Sequence, residues 1–383
     1  MSAVVETRPQ EKAQGAWYNS AACVGGLLAL FAIFFVPHIE PALLRAEHWA
    51  ADWRTAWLSE RLPTSHPKVA IVKITEESVA GFPYFLPVNR GYFADIIDAV
   101  DKAGARAIGL DFYFTRGTEK QPDDKLRETL RRLKHKVVIG AVEKLKPQQL
   151  EYQSEYIGDT PAGFINLKRE ADHVVRYRDY PWSGGRFQES FSTLLARAGG
   201  WTDTEPPDRI GWLLPPKDGA DTFLTIDAHE LVKATPDENA ASLKDRVVLI
   251  GGDIYGLDYH WTPLSIRSRA QTVGVEVHAQ MAAELIDGDR SYNDLEPPIR
   301  TAFLLVLAAL GIVLGLRFQE RRFDFLDWRV VSFGVIAVDL MSFKFFYLVL
   351  PFTHAAITWG AAVTTGSHLP RAVAWIRGRR KPA

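Results

Sequence analysis

Four apolar segments constrain what this chain can fold into more than any other feature of its sequence. One lies near the start, at residues 18–39, and three follow one another near the end, at residues 300–318, 330–350 and 351–370. Each is close to the roughly 20 apolar residues that an α-helix needs to cross a bilayer. The sequence therefore predicts four transmembrane helices, one before and three after a long segment of mixed composition.

A cleaved signal peptide is one competing interpretation of the first segment. Its apolar run is longer than the roughly 7–15 residues of a signal sequence, and no small-residue cleavage site follows it. The preceding flank mixes acidic Glu6 and Glu11 with basic Arg8 and Lys12. Buried helices of a soluble protein are the other interpretation, and four such segments with one consistent charge bias argue against it. We therefore expect membrane helices.

Basic residues in the connecting segments predict how the helices are oriented. The loop at residues 319–329 and the tail at residues 371–383 are rich in arginine, whereas the hairpin at Pro351 carries no basic residue. Because basic flanks resist translocation, the arginine-rich segments are expected in the cytoplasm. Four helices then place the N-terminal tail, residues 1–17, in the cytoplasm as well, and residues 40–299 form a large domain on the outer side.

The charge balance excludes one class of partner. The chain has 45 Lys and Arg residues against 46 Asp and Glu residues, which gives a formal net charge of −1. Nucleic acid is therefore not an expected partner, because such binding needs a strong basic field. The single cysteine, Cys23, excludes an intrachain disulfide and a cysteine-rich zinc module. We expect membrane lipid as a partner, and neither a metal nor a cofactor.

The outer segment alternates between strand and helix patterns, which predicts an α/β fold, a layered domain with a mainly parallel sheet. Strands are predicted at residues 68–74, 106–114, 137–140 and 247–252. An apolar stripe that begins at Phe93 marks the crossover helix after the first strand. The less regular middle predicts a hairpin from residues 162–167 and 174–180, and a helix over residues 275–286 closes the domain.

Acidic side chains follow several predicted strands, at the sheet edge where ligands usually bind. They are Glu76, Glu77, Asp111, Asp253 and Asp258, with Arg90 at the start of the crossover helix. Such a cluster can hold a divalent cation or act in acid–base catalysis. Acidic residues are also common helix caps, and an ion pair between Asp111 and Arg90 would be structural. No phosphate-loop, H-E-x-x-H or G-x-S-x-G motif is present. We expect no enzymatic activity, and a metal-assisted hydrolase stays open as an alternative.

Four stretches of the outer segment carry a resemblance to a known family. They are residues 69–78, 103–114 and 243–251, and the run from Asp258 through Thr262-Pro263 to the sequence Gly-Val-Glu-Val-His-Ala at residues 274–279. Together they resemble the second family of CHASE domains, which are extracytoplasmic sensory domains of bacterial cyclases, histidine kinases and Ser/Thr kinases. The predicted arrangement, with one helix before the domain and about three after it, is also similar to the usual arrangement of that family.

The resemblance implies a multi-pass protein of the bacterial cytoplasmic (inner) membrane, with its large domain in the periplasm and both termini in the cytoplasm. Family members commonly continue into a kinase or cyclase, and only a short tail follows the last predicted helix here. We therefore expect a sensor subunit that signals to a separate partner. Two loops depart from the family pattern, at residues 81–90 and at Asp172-His173, so the identity of a ligand is not carried over.

Two hypotheses of function follow. The first is the sensor, with signal-sensing candidates Glu76, Glu77, Arg90, Asp111, Asp172, Arg176, Asp258, Thr262 and His278. The second is a structural or assembly subunit of a larger membrane complex, whose outer domain is a docking surface. Asp339 and Lys344 lie within a predicted membrane helix and are candidates for contact with a partner there. Beyond lipid, both hypotheses imply a protein partner in the membrane or cytoplasm, or a homo-oligomer.

Overall fold

The chain divides into two compact units. A computed structural model describes residues 9–35, 40–203, 205–288, 292–317 and 325–379. The first unit combines Met1–Arg54 with Asp294–Ala383, and the second unit is Thr55–Asn293.

The elements are numbered in chain order. The helices are α1 (Pro9–Phe35), α2 (Glu40–Leu58), α3 (Glu76–Val79), α4 (Arg90–Lys102), α5 (Lys120–Arg132), α6 (Pro147–Ile157), α7 (Phe191–Ala198), α8 (Ala228–Lys233), α9 (Pro236–Leu243), α10 (Ser265–Ser268), α11 (Gly274–Asp287), α12 (Pro297–Arg317), α13 (Phe325–Phe346) and α14 (Phe352–Arg379). The strands are β1 (Val69–Thr75), β2 (Ala107–Leu110), β3 (Val137–Ala141), β4 (Ala162–Phe164), β5 (Lys168–Arg169), β6 (Val175–Tyr177), β7 (Leu224–Asp227), β8 (Val247–Asp253), β9 (Tyr259–His260), β10 (Thr272–Val273), β11 (Asn293–Asp294) and β12 (Leu348–Val349).

A six-stranded parallel sheet forms the centre of the second unit. Its strand order is β4-β3-β2-β8-β1-β7, and every neighbouring pair is parallel. The central strands are apolar along almost their whole length because helices cover both faces of the sheet. This sheet confirms the predicted α/β class and the mainly parallel arrangement.

Alternate residues of each strand enter two different cores. Val72 and Ile74 of β1 pack with α4, α5, α6, α8 and α9 on one face. Val69 and Ile71 pack with α7 and α11 on the other face. This alternation follows from the period of two residues in a strand, and the helices contribute apolar stripes such as the one that begins at Phe93 of α4.

The connections of the sheet create a crevice beside β8. The chain leaves β1 and β2 towards the face that carries α4 and α5, but it leaves β8 towards the face that carries α11. Neighbouring strands whose connections go to opposite faces separate at their carboxyl ends, and ligands of open α/β sheets bind in such crevices. The fold therefore places this crevice among the residues that follow β1, β2 and β8.

Several local predictions are wrong. Residues 162–167 and 174–180 do not form a hairpin with each other. Instead β4 extends the sheet beside β3, and β6 pairs antiparallel with β5. The second predicted strand, residues 106–114, ends at Leu110 because the chain there turns towards α5. Neither β7 nor α2 was predicted.

In the first unit, α12 packs against α14 through small residues. A Cβ built at Gly311 would lie 2.7 Å from the Cβ of Ala362, and one at Gly315 would lie 2.5 Å from the carbonyl oxygen of Val363. Gly366 of α14 approaches Ile312 so closely that a side chain there would overlap the Ile312 carbonyl group. Small residues at spacings of four let two helix backbones approach, as membrane helices do.

Among the described residues one helix, Pro297–Arg317, is long and apolar enough to cross a membrane, and Asn19–Phe34 is a shorter apolar helical stretch. The predicted spans at residues 18–39, 330–350 and 351–370 overlap α1, α13 and α14. That α12 and these three helices cross a membrane stays a prediction. The residues outside the described part of the chain include 1–8 of the predicted N-terminal tail, 36–39 and 318 at the ends of two predicted spans, 319–324 of the predicted loop, and 380–383 of the basic tail.

Candidate functional site

Three of the predicted residues meet at the crevice beside β8. Asp111 follows β2, Asp258 lies in the loop after β8, and His278 lies in the second turn of α11. Nε2 of His278 is 3.9 Å from Oδ1 of Asp111. Oδ1 of Asp258 is 2.8 Å from Nε2 of His260, whose Nδ1 accepts a hydrogen bond of 3.2 Å from Nε of Arg169. Nε2 of His260 therefore carries the proton and donates it to Asp258.

The sequence around Gly274 is explained by the approach of Asp258 to the start of α11. The Gly274 amide donates a hydrogen bond of 2.9 Å to the carbonyl oxygen of Asp258, and any side chain at Gly274 would overlap the Asp258 carboxylate. The next residue, Val275, packs into the space that Gly251 of β8 leaves open. His278 then lies one helical turn further along, facing the sheet.

Burial shifts two of these groups towards their neutral forms. It raises the pKa of Asp111 well above its ordinary value, and the nearby negative charge of Asp258 adds to this effect. Burial also lowers the pKa of His278 to about 4, although the charge of Asp258 opposes the shift. Asp111 and His278 thus face each other without a strong tendency to form an ion pair. The imidazole of His278 also meets the ring of Phe191 edge-on at 5.4 Å.

Asp258 itself stays ionised. Its partial burial alone would raise its pKa, but the hydrogen bond from His260 and the positive charge of Arg169 lower the pKa below its ordinary value. The cluster therefore combines one carboxylate with an acid and an imidazole whose pKa shifts both favour the neutral form. In the part of the chain that the structure describes, no group of three or more His, Cys, Asp or Glu side chains is arranged to hold a metal ion.

The remaining acids of the predicted rim do not join this cluster. Asp253, at the end of β8, accepts a hydrogen bond of 2.5 Å from the Tyr259 hydroxyl and lies 2.9 Å from Nζ of Lys73. Glu76 and Glu77 begin α3 and are exposed; Oε1 of Glu76 accepts a hydrogen bond of 3.3 Å from the Tyr255 amide. The rim is therefore a series of separate contacts.

Arg90 lies on the other side of the same sheet edge, and its ion-pair partner is Asp123 rather than Asp111. Nη1 of Arg90 is 3.0 Å from Oδ1 of Asp123 and donates a hydrogen bond of 2.8 Å to the Tyr152 hydroxyl, and Nη2 donates to the carbonyl oxygen of Arg116. The guanidinium group lies over the ring of Tyr156, with 4.4 Å from its carbon to the ring centre. Asp123 is the partner because α5 carries it to the start of α4.

A cavity of about 340 Å³ opens beside Arg90. Its walls are the loop that precedes α4, the first turn of α4 and the loop that follows β2, including Leu86, Phe93, Phe112, Thr115 and Arg116. The sequence pattern did not reveal this cavity, because most of its wall comes from two loops without helix or strand periodicity. The cavity and the acid cluster are adjacent along the chain, because the wall residue Phe112 directly follows Asp111.

Asp172, Arg176 and Thr262 are placed in supporting contacts. Buried Arg176 is 2.7 Å from Oδ2 of Asp172 and 2.7 Å from Oε2 of Glu170, so it closes the turn between β5 and β6. Buried Thr262 donates its amide to Oγ of Ser265 at 3.0 Å, which fixes the start of α10. These predicted residues contribute no wall to the cavity beside Arg90.

A buried ion pair in the second unit was missed by the sequence analysis. Nη2 of Arg178 is 2.5 Å from Oε2 of Glu284 and donates a hydrogen bond of 2.9 Å to the carbonyl oxygen of Met281. It joins the segment after β6 to α11. No local signal marks it, because both residues look like surface charges until the chain is folded.

In the first unit, Asp339 has a partner within the chain. Nη1 of Arg54 in α2 donates to Oδ1 of Asp339 in α13 and to the Leu350 carbonyl oxygen, and its Nη2 is 3.4 Å from Oε1 of Glu47. Glu47 in turn accepts the amides that begin α14, from Phe352 at 2.8 Å and from Thr353 at 2.7 Å. Lys344 is exposed on α13.

Comparison with known proteins agrees with this arrangement of elements. The CHASE2 domain family matches residues 26–316, which include the whole α/β unit. Neither the curated proteins nor the solved structures contain a significant match. The family match covers most of the chain, including the Asp258 cluster and the cavity beside Arg90. The chain belongs to the CHASE2 family, whose domains are extracellular sensory domains.

Proposed function

We propose that this chain is a non-enzymatic, membrane-anchored sensor that binds a small ligand outside the cytoplasm and signals to a separate protein. The observation that carries the proposal is the cavity of about 340 Å³ at the carboxyl ends of the parallel strands. Ligand pockets commonly measure about 300–1,000 Å³, and open parallel sheets bind ligands at this edge. Membership of a family of sensory domains supports a role of this cavity in ligand binding.

The walls of the cavity favour a small molecule with an apolar body and one carboxylate or phosphate group. Phe93 and Phe112 offer ring surfaces to the apolar body. Asp123 already balances the charge of Arg90, so the positive charge left for an anion comes from Arg116 and from the N-terminus of α4.

A ligand screen with matched variants tests this proposal. Full-length protein in lipid nanodiscs is screened by thermal shift against a panel of small aliphatic and aromatic carboxylates and phosphates. Thr115→Trp fills the cavity, and Thr202→Trp places the same side chain at an exposed position outside it. We expect at least one anion to raise the Tm of the parent protein and of Thr202→Trp, but not that of Thr115→Trp.

Two results contradict the proposal. One is a screen in which no compound stabilises the parent protein. The other is a ligand that stabilises Thr115→Trp as much as the parent, because it must then bind elsewhere.

We also propose that α1, α12, α13 and α14 all cross the bacterial inner membrane, with the α/β unit in the periplasm. The exposed apolar side chains of α1, α12 and α13 support this, for example Leu28, Leu305 and Phe333. The glycine-mediated packing of α12 on α14 supports it as well.

One of the two residues that favoured the alternative function, a structural subunit of a membrane complex, has a partner in its own chain. Asp339, expected to pair with a neighbouring protein, is bound by Arg54 of the same chain. Lys344 lies on the same helix, and its contact with a partner within the membrane stays a prediction.

A further inference from the structure

We infer that α2 lies along the outer surface of the membrane, with Trp49 and Trp53 inserted between lipid headgroups and acyl chains. The inference rests on the proposed membrane anchoring and assigns a role to a helix that the sequence analysis did not predict. The exposed face of α2, the charged contacts that fix this face, and the apolar helix α1 that precedes α2 support it.

The faces of α2 are inverted relative to a soluble amphipathic helix. Trp49 and Trp53 are 62% and 41% exposed, while Glu47 and Arg54 on the opposite face are buried. Arg45, Trp49 and Trp53 follow one another at a spacing of four residues and therefore form one row. The two indole rings meet edge-on at 5.9 Å. Exposed aromatic side chains together with buried charges are expected for a helix whose surroundings are apolar.

Charged contacts hold the helix in this rotation. Arg54 binds Asp339 of α13 and the Leu350 carbonyl oxygen, and Glu47 binds the two amides that begin α14. Turning α2 to bury its tryptophans would withdraw both charges from these partners and leave other buried charges unpaired, which is strongly unfavourable. The tryptophan row therefore faces outward because the other face of the helix is fixed.

The bilayer interface is the partner that fits this row. Indole combines a large apolar surface with one N–H donor, so tryptophan concentrates at the level of lipid headgroups. Arg45 extends the row by one turn and can contact lipid phosphate. The preceding helix α1 ends at Phe35 and exposes apolar side chains such as Leu27 and Phe31, so a lipid-facing surface precedes α2 directly along the chain.

Depth-dependent quenching tests the inference in the full chain. Cys23→Ser gives a background without cysteine, and Ala46→Cys adds an exposed site on the tryptophan side of α2 while keeping both tryptophans. The site is labelled with an NBD fluorophore in phosphatidylglycerol and phosphatidylethanolamine vesicles that carry a nitroxide at either a shallow or a deep acyl position. Leu305→Cys on α12 is the control for the acyl region, and Lys217→Cys of the α/β unit is the control for water.

We expect the label at residue 46 to be quenched at least twofold more by the shallow nitroxide than by the deep one. The label at residue 305 should show the reverse order, and the label at residue 217 should be quenched by neither. Replacing Trp49 and Trp53 by Ser in the Ala46→Cys protein should lower the shallow quenching at least twofold.

The outcomes separate this inference from the proposed function. If residue 305 is quenched and residue 46 is not, α2 lies away from the lipid and the inference is wrong, while the anchoring survives. If residue 305 is not quenched either, the anchoring itself fails. If a Trp53→Cys variant forms a disulfide-linked dimer and residue 46 is not quenched, the row faces a second copy of the chain, which also overturns the inference.

Discussion

At the scale of single residues, Asp111 and His278 respond to pH in opposite directions. Burial raises the pKa of Asp111 and lowers that of His278 to about 4. In acid, below ~6.5, the unfolded chain binds a proton on this histidine that the folded protein does not bind. Above ~3.9 the unfolded chain releases a proton that folded Asp111 retains up to its raised pKa. Acidification therefore destabilises the fold through His278 and stabilises it through Asp111.

Replacing either residue should expose the contribution of the other. Through His278, the parent protein should lose on the order of 3 kcal/mol of unfolding free energy between pH 7 and pH 4. His278→Gln should abolish this loss. Asp111→Asn should make the parent protein's loss of stability on acidification steeper. Thermal unfolding of full-length protein in detergent at several pH values measures both effects. Parallel pH profiles for the parent and His278→Gln would contradict the assignment.

The buried pair of Arg178 and Glu284 should matter far more than an exposed pair. Arg178→Met leaves the Glu284 carboxylate buried without this cation, which we expect to cost about 3–5 kcal/mol. Arg132→Met is the matched control, because Arg132 makes an ion pair of the same 2.5 Å length with Asp98 while its side chain is half exposed. That change should cost less than about 1 kcal/mol. Similar losses of Tm for both variants would show that burial does not govern the pair.

At the scale of elements, the packing of α11 on the sheet depends on the glycine at position 251 of β8, which has no side chain. A Cβ at Gly251 of β8 would overlap the branched side chain of Val275 in α11, which is anchored to its own backbone and has little room to move. We expect Gly251→Ala to cost about 1–3 kcal/mol of stability. Gly81→Ala, where no heavy atom lies within 4 Å of the added carbon, should change the Tm by little. Equal effects at both positions would contradict this packing.

Elements with strong periodicity could be predicted from the sequence, and those defined by distant partners could not. Continuous apolar runs marked β1, β3 and β8, and the stripe from Phe93 marked α4. The residues of β4 carried no sign of whether they pair with β3 or with a following strand, because pairing is decided by the whole sheet. The helix α2 escaped detection because its exposed tryptophans and buried charges invert the usual pattern.

The same distinction applies to the candidate site. Strand ends placed Asp111 and Asp258 at one edge, and the family motif added His278. Arg90, however, pairs with Asp123, which no spacing connected to it. The cavity is formed mainly by two loops beside the start of α4, and loop conformation leaves no periodic trace in a sequence.

At the scale of the whole molecule, the proposed topology is open to a direct labelling test. In the Cys23→Ser background, a cysteine at Lys217 of the α/β unit should react with an impermeant maleimide in intact spheroplasts. A cysteine at Lys381, in the basic tail, should react only after the membrane is permeabilised. Mass shift on a gel measures both reactions.

Labelling of both positions in intact spheroplasts would contradict the three membrane crossings proposed between them, because an odd number of crossings places the two positions on opposite sides of the membrane. Labelling of neither would contradict the outer location of the α/β unit. The Cys23→Ser chain without an added cysteine reports the background reaction.

The loop that follows β2 connects the cavity with the acid cluster, since Phe112 lines the cavity and Asp111 precedes it. A ligand that displaced the Phe112 ring would act on the backbone next to Asp111, and through it on the burial that raises the pKa of this carboxyl group. Such coupling is reciprocal by thermodynamic necessity, so ligand affinity must vary with pH to the extent that binding takes up or releases protons. The periplasm equilibrates with the surroundings of the cell, and a sensor built in this way would report a solute and the external acidity as one combined output.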